Sequence, residues 1–494
     1  MQQRDTQGPD SQGVTEPIDV TRLTALEERV QQDLDLIGHP RMSWLTPRDA
    51  PNGDTALDVL IVGAGQSGLA TAFGLLRSKV DNILIVDKAP SGREGPWLTY
   101  ARMPTLRSPK DYTGPDLDIP SLTYEAWHRA KYGEESWAKL ELIPRHYWAD
   151  YLGWVRRMTR VPVRNETEVV DIAPAGDLLE VRLRQSDGSE QSVFARKIVL
   201  ATGQEGAGLW WMPPSIAALP QSMRAHAADD IDFAALRGKA VAILGAGASA
   251  FDNAAVALEA GARRVTLFSR RKEVQVIQPY RWLTFRGFLK HLSDLDDAWR
   301  WRFMRHILGL REGFPQPTYD RCACHDNFEL VAGAPWDAVE VRDSQAHIST
   351  PKGDHTADFV ICGTGVDMDF AGRPELQRFA ANIATWTDCY TPPEDERDAR
   401  LGRFPYLSED FAFVEKEPGR TPWIKDIHLF AIASTMSFGP SGSSINAMTS
   451  VIPKLVSAIT KGLFQQDVER HWQSLKAYDE PQAVIPINTD NDDA

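Results

Sequence analysis

Along 17–37 the apolar residues Leu23, Leu26, Val30, Leu34 and Ile37 recur at helical spacing with charged residues between them. The pattern predicts an amphipathic helix on the outside of the main body. Pro47, Pro51 and Gly53 follow as a linker. The periodicity then changes: 58–62 (Asp-Val-Leu-Ile-Val) opens a strand, 67–78 reads as a helix and 82–86 as a second strand, a βαβ unit of about 30 residues. The same grammar returns after Lys239, with a strand at 240–244, a helix at 249–260 and a strand at 264–268. Two more strands run straight into glycines, at 197–203 and 358–365, each after an alternating polar stretch (180–184 and 338–342) that reads as a hairpin. The predicted class is α/β, with two Rossmann-like domains and the second inserted into the first. The expected division is a tail at 1–16, the helix and linker at 17–56, the first domain at 57–220 and again at 354–470, the inserted domain at 221–353, and a tail at 471–494.

Both units carry a glycine fingerprint between strand and helix. In Gly63-Ala-Gly-Gln-Ser-Gly68 the first glycine permits a tight turn, the second lets backbone approach a pyrophosphate, and the third lets helix and strand pack closely. Asp87 ends the following strand, where a carboxylate accepts from ribose hydroxyls. Gly245-Ala-Gly-Ala-Ser-Ala250 repeats the motif with alanine in the third slot, which the fingerprint allows. Its second strand ends in Ser269-Arg270-Arg271-Lys272 and lacks an acid. An arginine fork there binds the 2′-phosphate that a carboxylate would repel. The first site is therefore expected to hold FAD and the second to prefer NADPH over NADH. The competing reading of the basic run is a solvated surface.

Composition narrows the picture further. Of 494 residues, 43% are hydrophobic and 25% charged, an ordinary globular balance. A formal charge of −14 argues against a nucleic-acid partner. Four cysteines make no disulfide framework, and Cys322, Cys324 and His325 read as incidental and not as a metal site, so no metal is expected. The uncharged stretch 59–76 reaches the length of a membrane span but breaks at four glycines into strand, turn and helix. The start, 1–14, has no apolar h-region, so the expected location is the cytoplasm, with no membrane partner. A homo-oligomer is left open.

The order of these motifs resembles the class B flavin-dependent monooxygenases: flavin-containing, auxin-forming, Baeyer–Villiger and N-hydroxylating types. The resemblance runs over about 58–459 and includes both fingerprints, Ala201-Thr-Gly203, Gly363-Thr-Gly365, Gly95-Pro-Trp97 and Phe438-Gly-Pro-Ser-Gly-Ser-Ser-Ile-Asn446. It implies cofactor contacts at Gly63, Gly65, Gln66, Ser67, Gly68, Asp87, Lys88, Trp97, Val169, Thr202, Gly203, Gly245, Gly247, Ser249, Ala250, Ser269, Arg270, Arg271, Gly365, Ser444 and Asn446. It also implies that NADPH reduces FAD, that O2 adds at the flavin C4a position, and that the resulting (hydro)peroxide passes one oxygen atom to a small substrate. The family's Phe-x-Gly-x-x-x-His signature is broken here: His226 is in place, but Pro220 and Ser222 stand where Phe and Gly belong. That weakens a Baeyer–Villiger assignment, and His226 is either a signature residue or a linker histidine bonded to backbone.

N-hydroxylation of an amine or amino acid is the leading expectation. The alternatives are Baeyer–Villiger or S-oxygenation, an NADPH-dependent flavin reductase without oxygen transfer, and a non-enzymatic flavin-binding sensor. No C-x-x-C stands near either fingerprint, which argues against a disulfide reductase. In the extended loop 100–110, broken by Pro104 and Pro109, Arg102, Arg107 and Lys110 are candidates to bind a substrate carboxylate. The competing reading is that they neutralise the FAD pyrophosphate or lie on the surface.

Overall fold

The computed structural model describes residues 18–112, 114–310, 313–442 and 444–485; the tail expected at 1–16 lies outside them. The first helix spans Val20–Leu36, with the Asp19 side chain accepting from Arg22 N–H at its start. It packs as its pattern predicts: Val30 is fully buried, Leu23, Leu26 and Leu34 lie against the core, and Glu27 accepts from the Trp154 indole at 3.0 Å.

The first sheet is built around the strand Thr55–Val62, whose parallel neighbours are Ile83–Val86 and Glu190–Leu200. Val163–Arg164 extends one side and Ile427–Leu429 the other, both in parallel. Val59, Leu60 and Ile61 are fully buried, because helices cover both faces of this sheet. The eleven residues of Glu190–Leu200 serve two sheets' worth of pairing. The first half is antiparallel to Leu178–Gln185 and carries the expected hairpin; the second half enters the parallel core and ends at Ala201.

The second sheet is wholly parallel, in the order Arg224–His226, Phe359–Cys362, Ala240–Leu244, Arg264–Ser269, Phe328–Ala332. This moves one expected boundary. Phe359–Cys362 was expected in the resumed first domain, but it pairs on both sides within the second sheet. A second difference concerns the helices Pro279–Trp282, Arg286–His291 and Asp297–Leu310, which lie inside the expected inserted domain. Their apolar faces (Leu283, Phe288, Leu292, Trp301, Met304, Ile307) join the first unit's core beside Trp386 and Met448. An apolar stripe states that a helix must be covered, not which core covers it. The expected tail from 471 also begins inside a helix, Val468–Ala477.

Two short segments link the units, and they pair with each other: Gly208–Trp210 is antiparallel to Val366–Met368. The fit is tight, since a Cβ on Gly208 would lie 2.2 Å from Asp367 O. The long helix Met448–Gln466 crosses the first fingerprint helix at Gly74, where a Cβ would lie 2.7 Å from Val456 Cγ2.

Beneath this crossing lies a buried ionic cluster. Arg196, about 1% exposed, reaches Asp58 at 3.2 Å and Asp467 at 2.9 Å, and donates to Leu463 O. Asp467 also meets Arg48 at 2.8 Å. Burial pushes the Asp58 carboxyl up against the pull of Arg196, while the two arginines hold Asp467 down despite its burial. Arg196→Met is expected to destabilise the protein by about 3–5 kcal/mol, because two buried carboxylates lose their counter-charge. The midpoint of urea unfolding reads this directly; an unchanged midpoint would show that Arg48 alone satisfies the cluster.

Candidate active site at the junction of two nucleotide-binding units

The first fingerprint is shaped by close backbone approach. Gly63 has φ +103°, and a Cβ there would lie 2.4 Å from Ala201 O. Gly68 sits where a Cβ would lie 1.9 Å from Gly63 O. Gly65 differs: a Cβ would meet nothing nearer than Gly95 Cα at 3.9 Å. The helix Gln66–Arg77 starts there with no side-chain cap, which leaves its first N–H groups for an anion. Asp87 ties the loop down, accepting from Ala64 N–H at 2.7 Å and Ala89 N–H at 2.8 Å. Burial pushes its carboxyl up, and these two donors oppose the shift. The Trp97 indole N–H is buried without a partner among the described residues, beside Trp148, which donates to Gln66 Oε1. An open glycine lane, an uncapped helix start and an unpartnered indole donor are what an FAD nucleotide requires, so the residues present fit that group.

The second fingerprint repeats the geometry with one exchange. A Cβ on Gly245 would lie 2.5 Å from Gly363 O, and Gly247 opens the helix Ala248–Glu259 with nothing within 4 Å of a Cβ. In the first unit the third-slot residue Gly68 faces Ala201; in the second, the third-slot Ala250 faces Gly363, whose own Cβ would come within 2.8 Å of the Ala250 methyl. One methyl fits at each contact, and the two units place it on opposite sides. Ser269 is buried and exchanges hydrogen bonds with the Arg271 backbone. Arg271 NH2 is held by Gly309 O at 2.9 Å, whereas Arg270 is exposed with no partner among the described residues. An open fork beside an uncapped helix start fits the 2′-phosphate of NADPH.

Other predicted cofactor residues sit as follows. Ser67 is buried in the first helix and Ser249 exposed in the second. Thr202 Oγ1 donates to Gly206 O, and Gly203 (φ +64°) accepts from Ile432 N–H through its carbonyl. Gly365 has φ +77° and accepts from Trp211 N–H. Lys88 turns away to Glu205, 3.4 Å from both oxygens. Val169 is a core side chain opposite Leu183. Asn446 donates to Thr284 of the helical excursion, and its Oδ1 is buried without a partner among the described residues. Ser444 lies one residue before the short turn Ile445–Ala447 that leads into helix Met448–Gln466; its neighbour Ser443 is outside the described residues.

The three loop cations do not project toward a common ligand. Arg102 donates to Thr99 O at 2.5 Å and Asp229 O at 2.9 Å, with its guanidinium over the Phe233 ring. Arg107 pairs with Asp252 at 2.5 Å. Lys110 donates to Trp137 O at 2.8 Å and lies over the Trp137 ring. Each has an internal acceptor that a substrate carboxylate would have to displace. Asp252, the residue that explains Arg107, was not singled out from sequence; its signal was an acid on an otherwise apolar helix face.

His226 is a backbone-held histidine. Its Nδ1 accepts from Ala228 N–H at 3.1 Å, and its ring lies 5.1 Å from Trp210, itself 5.4 Å from Tyr100. Burial pulls its pKa down, so the ring is neutral at pH 7. Cys322 is buried and donates to Phe251 O, and no group of three or more metal-ligating side chains occurs among the described residues. No helix among them is long and apolar enough to cross a membrane.

Two family models match the chain: one described as FAD-NAD(P)-binding at 60–205, and one described as L-lysine 6-monooxygenase/L-ornithine 5-monooxygenase at 135–280. A FAD-dependent urate hydroxylase of Xanthomonas campestris pv. campestris is 39% identical over 463 residues, covering 94% of this chain and 97% of the relative. Among solved structures, an ornithine N-hydroxylase of Kutzneria sp. 744 matches with TM-score 0.63 at 18% identity, over 82% of this chain and 99% of that one. The ornithine hydroxylase of Pseudomonas aeruginosa matches with TM-score 0.62 at 17% identity, over 83% and 99%. The fold and the paired nucleotide sites are those of a two-dinucleotide-domain flavin monooxygenase. The chain belongs to the family of flavin-dependent monooxygenases that includes the Xanthomonas urate hydroxylase; it is an enzyme whose cofactors are FAD and NADPH.

Two predictions follow from this geometry. Gly65→Val is expected to give a folded but colourless protein, since the first carbon of the new side chain meets no protein atom closer than 3.9 Å but occupies the pyrophosphate lane. Purification with normal flavin absorbance would show that FAD lies elsewhere. Arg270→Ala is expected to weaken NADPH at least about tenfold while NADH changes little. Equal loss for both nucleotides in parallel titrations would give this arginine another role.

Proposed function

We propose that this enzyme hydroxylates a small nitrogen heterocycle of the urate type. The overall balance is substrate, NADPH, a proton and O2 in, and hydroxylated substrate, NADP+ and water out. FAD, when bound, carries the electrons from NADPH and activates O2. The chain's own residues supply binding, orientation and exclusion of water. The two open glycine positions, Gly65 and Gly247, would admit the two nucleotides, and the Tyr100, Trp210 and His226 rings stack beside the ribbon that joins the units.

The observation that carries the substrate reading is the engagement of Arg102, Arg107 and Lys110 by internal acceptors. An amino-acid substrate needs a cation for its carboxylate, and this loop has none to offer. The heterocycle reading is further supported by the urate hydroxylase that matches nearly the whole chain. A second reading, N-hydroxylation of an amine or amino acid, is favoured by the lysine/ornithine monooxygenase match over 135–280.

Oxygen and NADPH consumption by the flavin-loaded enzyme, with urate, L-ornithine and L-lysine in parallel and product masses determined, tests this. The proposal expects urate to stimulate both consumptions at least about tenfold above background, with a product heavier by one oxygen atom. Stimulation by ornithine or lysine alone, with a hydroxylamine product, would replace it with the second reading.

A further inference from the structure

We propose that Arg102 and Arg107 form a two-point latch from the first nucleotide-binding unit to the second, positioning NADPH against the flavin through the Arg107–Asp252 ion pair. This rests on the family's use of both nucleotides and not on the urate reading.

The latch stands on a firm base. Thr105–Pro109 pairs with Leu142–Pro144, and Arg145 reaches back to Pro104 O through its backbone N–H and to Trp97 O at 2.6 Å through its guanidinium. That joins the loop to the Trp97 element of the first unit. From this base both arginines cross the junction. Arg102 docks on the approach to the second fingerprint, at Asp229 O and the Phe233 ring. Arg107 docks on the fingerprint helix itself, because Asp252 is the fifth residue of Ala248–Glu259, in the second turn after Gly247.

Asp252 is 2% exposed, and the polar neighbours it has among the described residues besides Arg107 include Thr318 Oγ1 at 3.5 Å and Arg321 at 3.8 Å, both of its own unit. Arg321 is committed to Glu259 at 2.8 Å. Arg107 therefore supplies the counter-charge that comes from across the junction. Beside these arginines, the units are joined by the ribbon of Gly208–Trp210 and Val366–Met368 and by the helices Pro279–Trp282, Arg286–His291 and Asp297–Leu310, whose apolar faces lie in the first unit's core; the arginines add the link that reaches the second fingerprint helix itself. The Arg107 NH2–Asp252 Oδ2 contact is mostly buried, so it is a charge-assisted bond that solvent screens little. Hydride transfer is sensitive to about 1 Å of misplacement, which is where such a latch would register.

The test uses flavin-loaded Arg107→Ala, Arg107→Lys, Asp252→Asn and the Ala/Asn double variant. Four quantities are read: FAD occupancy, NADP+ affinity by calorimetry, amide exchange along 248–259, and hydrogen peroxide released per NADPH oxidised. The expected result is unchanged FAD occupancy, NADP+ binding about tenfold weaker in Arg107→Ala and Asp252→Asn, and faster exchange along the helix. Peroxide release should rise in both, Arg107→Lys should recover most of the affinity, and the double variant should be no worse than either single change. Asp252→Asn is nearly isosteric, so it reports even if the alanine variant fails to fold. Unchanged NADP+ affinity and exchange would overturn the latch. So would loss of FAD in Arg107→Ala, which means a pyrophosphate role, or a raised substrate KM with affinity, exchange and peroxide release unchanged, which means a substrate role. NADP+ affinity and exchange are measured without substrate, so failure of the urate reading leaves this result standing.

Discussion

The junction depends on how closely each fingerprint loop approaches the strand behind it. Gly63 lies against Ala201 O and Gly245 against Gly363 O, both at separations that leave no room for a Cβ. Positive φ at both positions turns the chain so that the next helix starts with its N–H groups bare. Once these contacts form, each helix start is left bare for an anion and the ends of Ile83–Val86 and Arg264–Ser269 are carried to the same edge as the fingerprint loops. Packing and charge then act on a frame that backbone contact has already set.

The two units are variations on this constraint. The methyl group at the contact sits on Ala201 in one and on Ala250 in the other. Their differences lie where chemistry needs them. Asp87 bonds its own loop at the end of Ile83–Val86, while Arg270 is exposed at the end of Arg264–Ser269 with no partner among the described residues. The units are joined by a two-stranded ribbon, by the helices of 279–310 docked on the first unit's core, and by two arginines that reach the second fingerprint region.

How much of this was legible in the sequence follows from which forces are local. The fingerprints, their strands and helices, and the first amphipathic helix were legible because glycine spacing and apolar periodicity are consequences of backbone geometry within about 30 residues. The sheet to which Phe359–Cys362 belongs was not, because a strand ending in Gly-Thr-Gly looks the same in either unit. The docking of Trp301 and Met304 on the first unit's core was hidden for a related reason: the pattern shows an apolar face and is silent on its partner. Arg107 was singled out from sequence without its partner Asp252. Its charge was visible, but Asp252 meets it only after two units fold and dock.

The central claim is that FAD and NADPH occupy facing sites built from these two fingerprints. It is tested most directly by mixing the flavin-loaded enzyme with one equivalent of NADPH in the absence of O2 and following the flavin absorbance. The account predicts full bleaching by NADPH and a much slower response to an equal amount of NADH. A flavin that stays oxidised, or one that bleaches equally with both nucleotides, would contradict it.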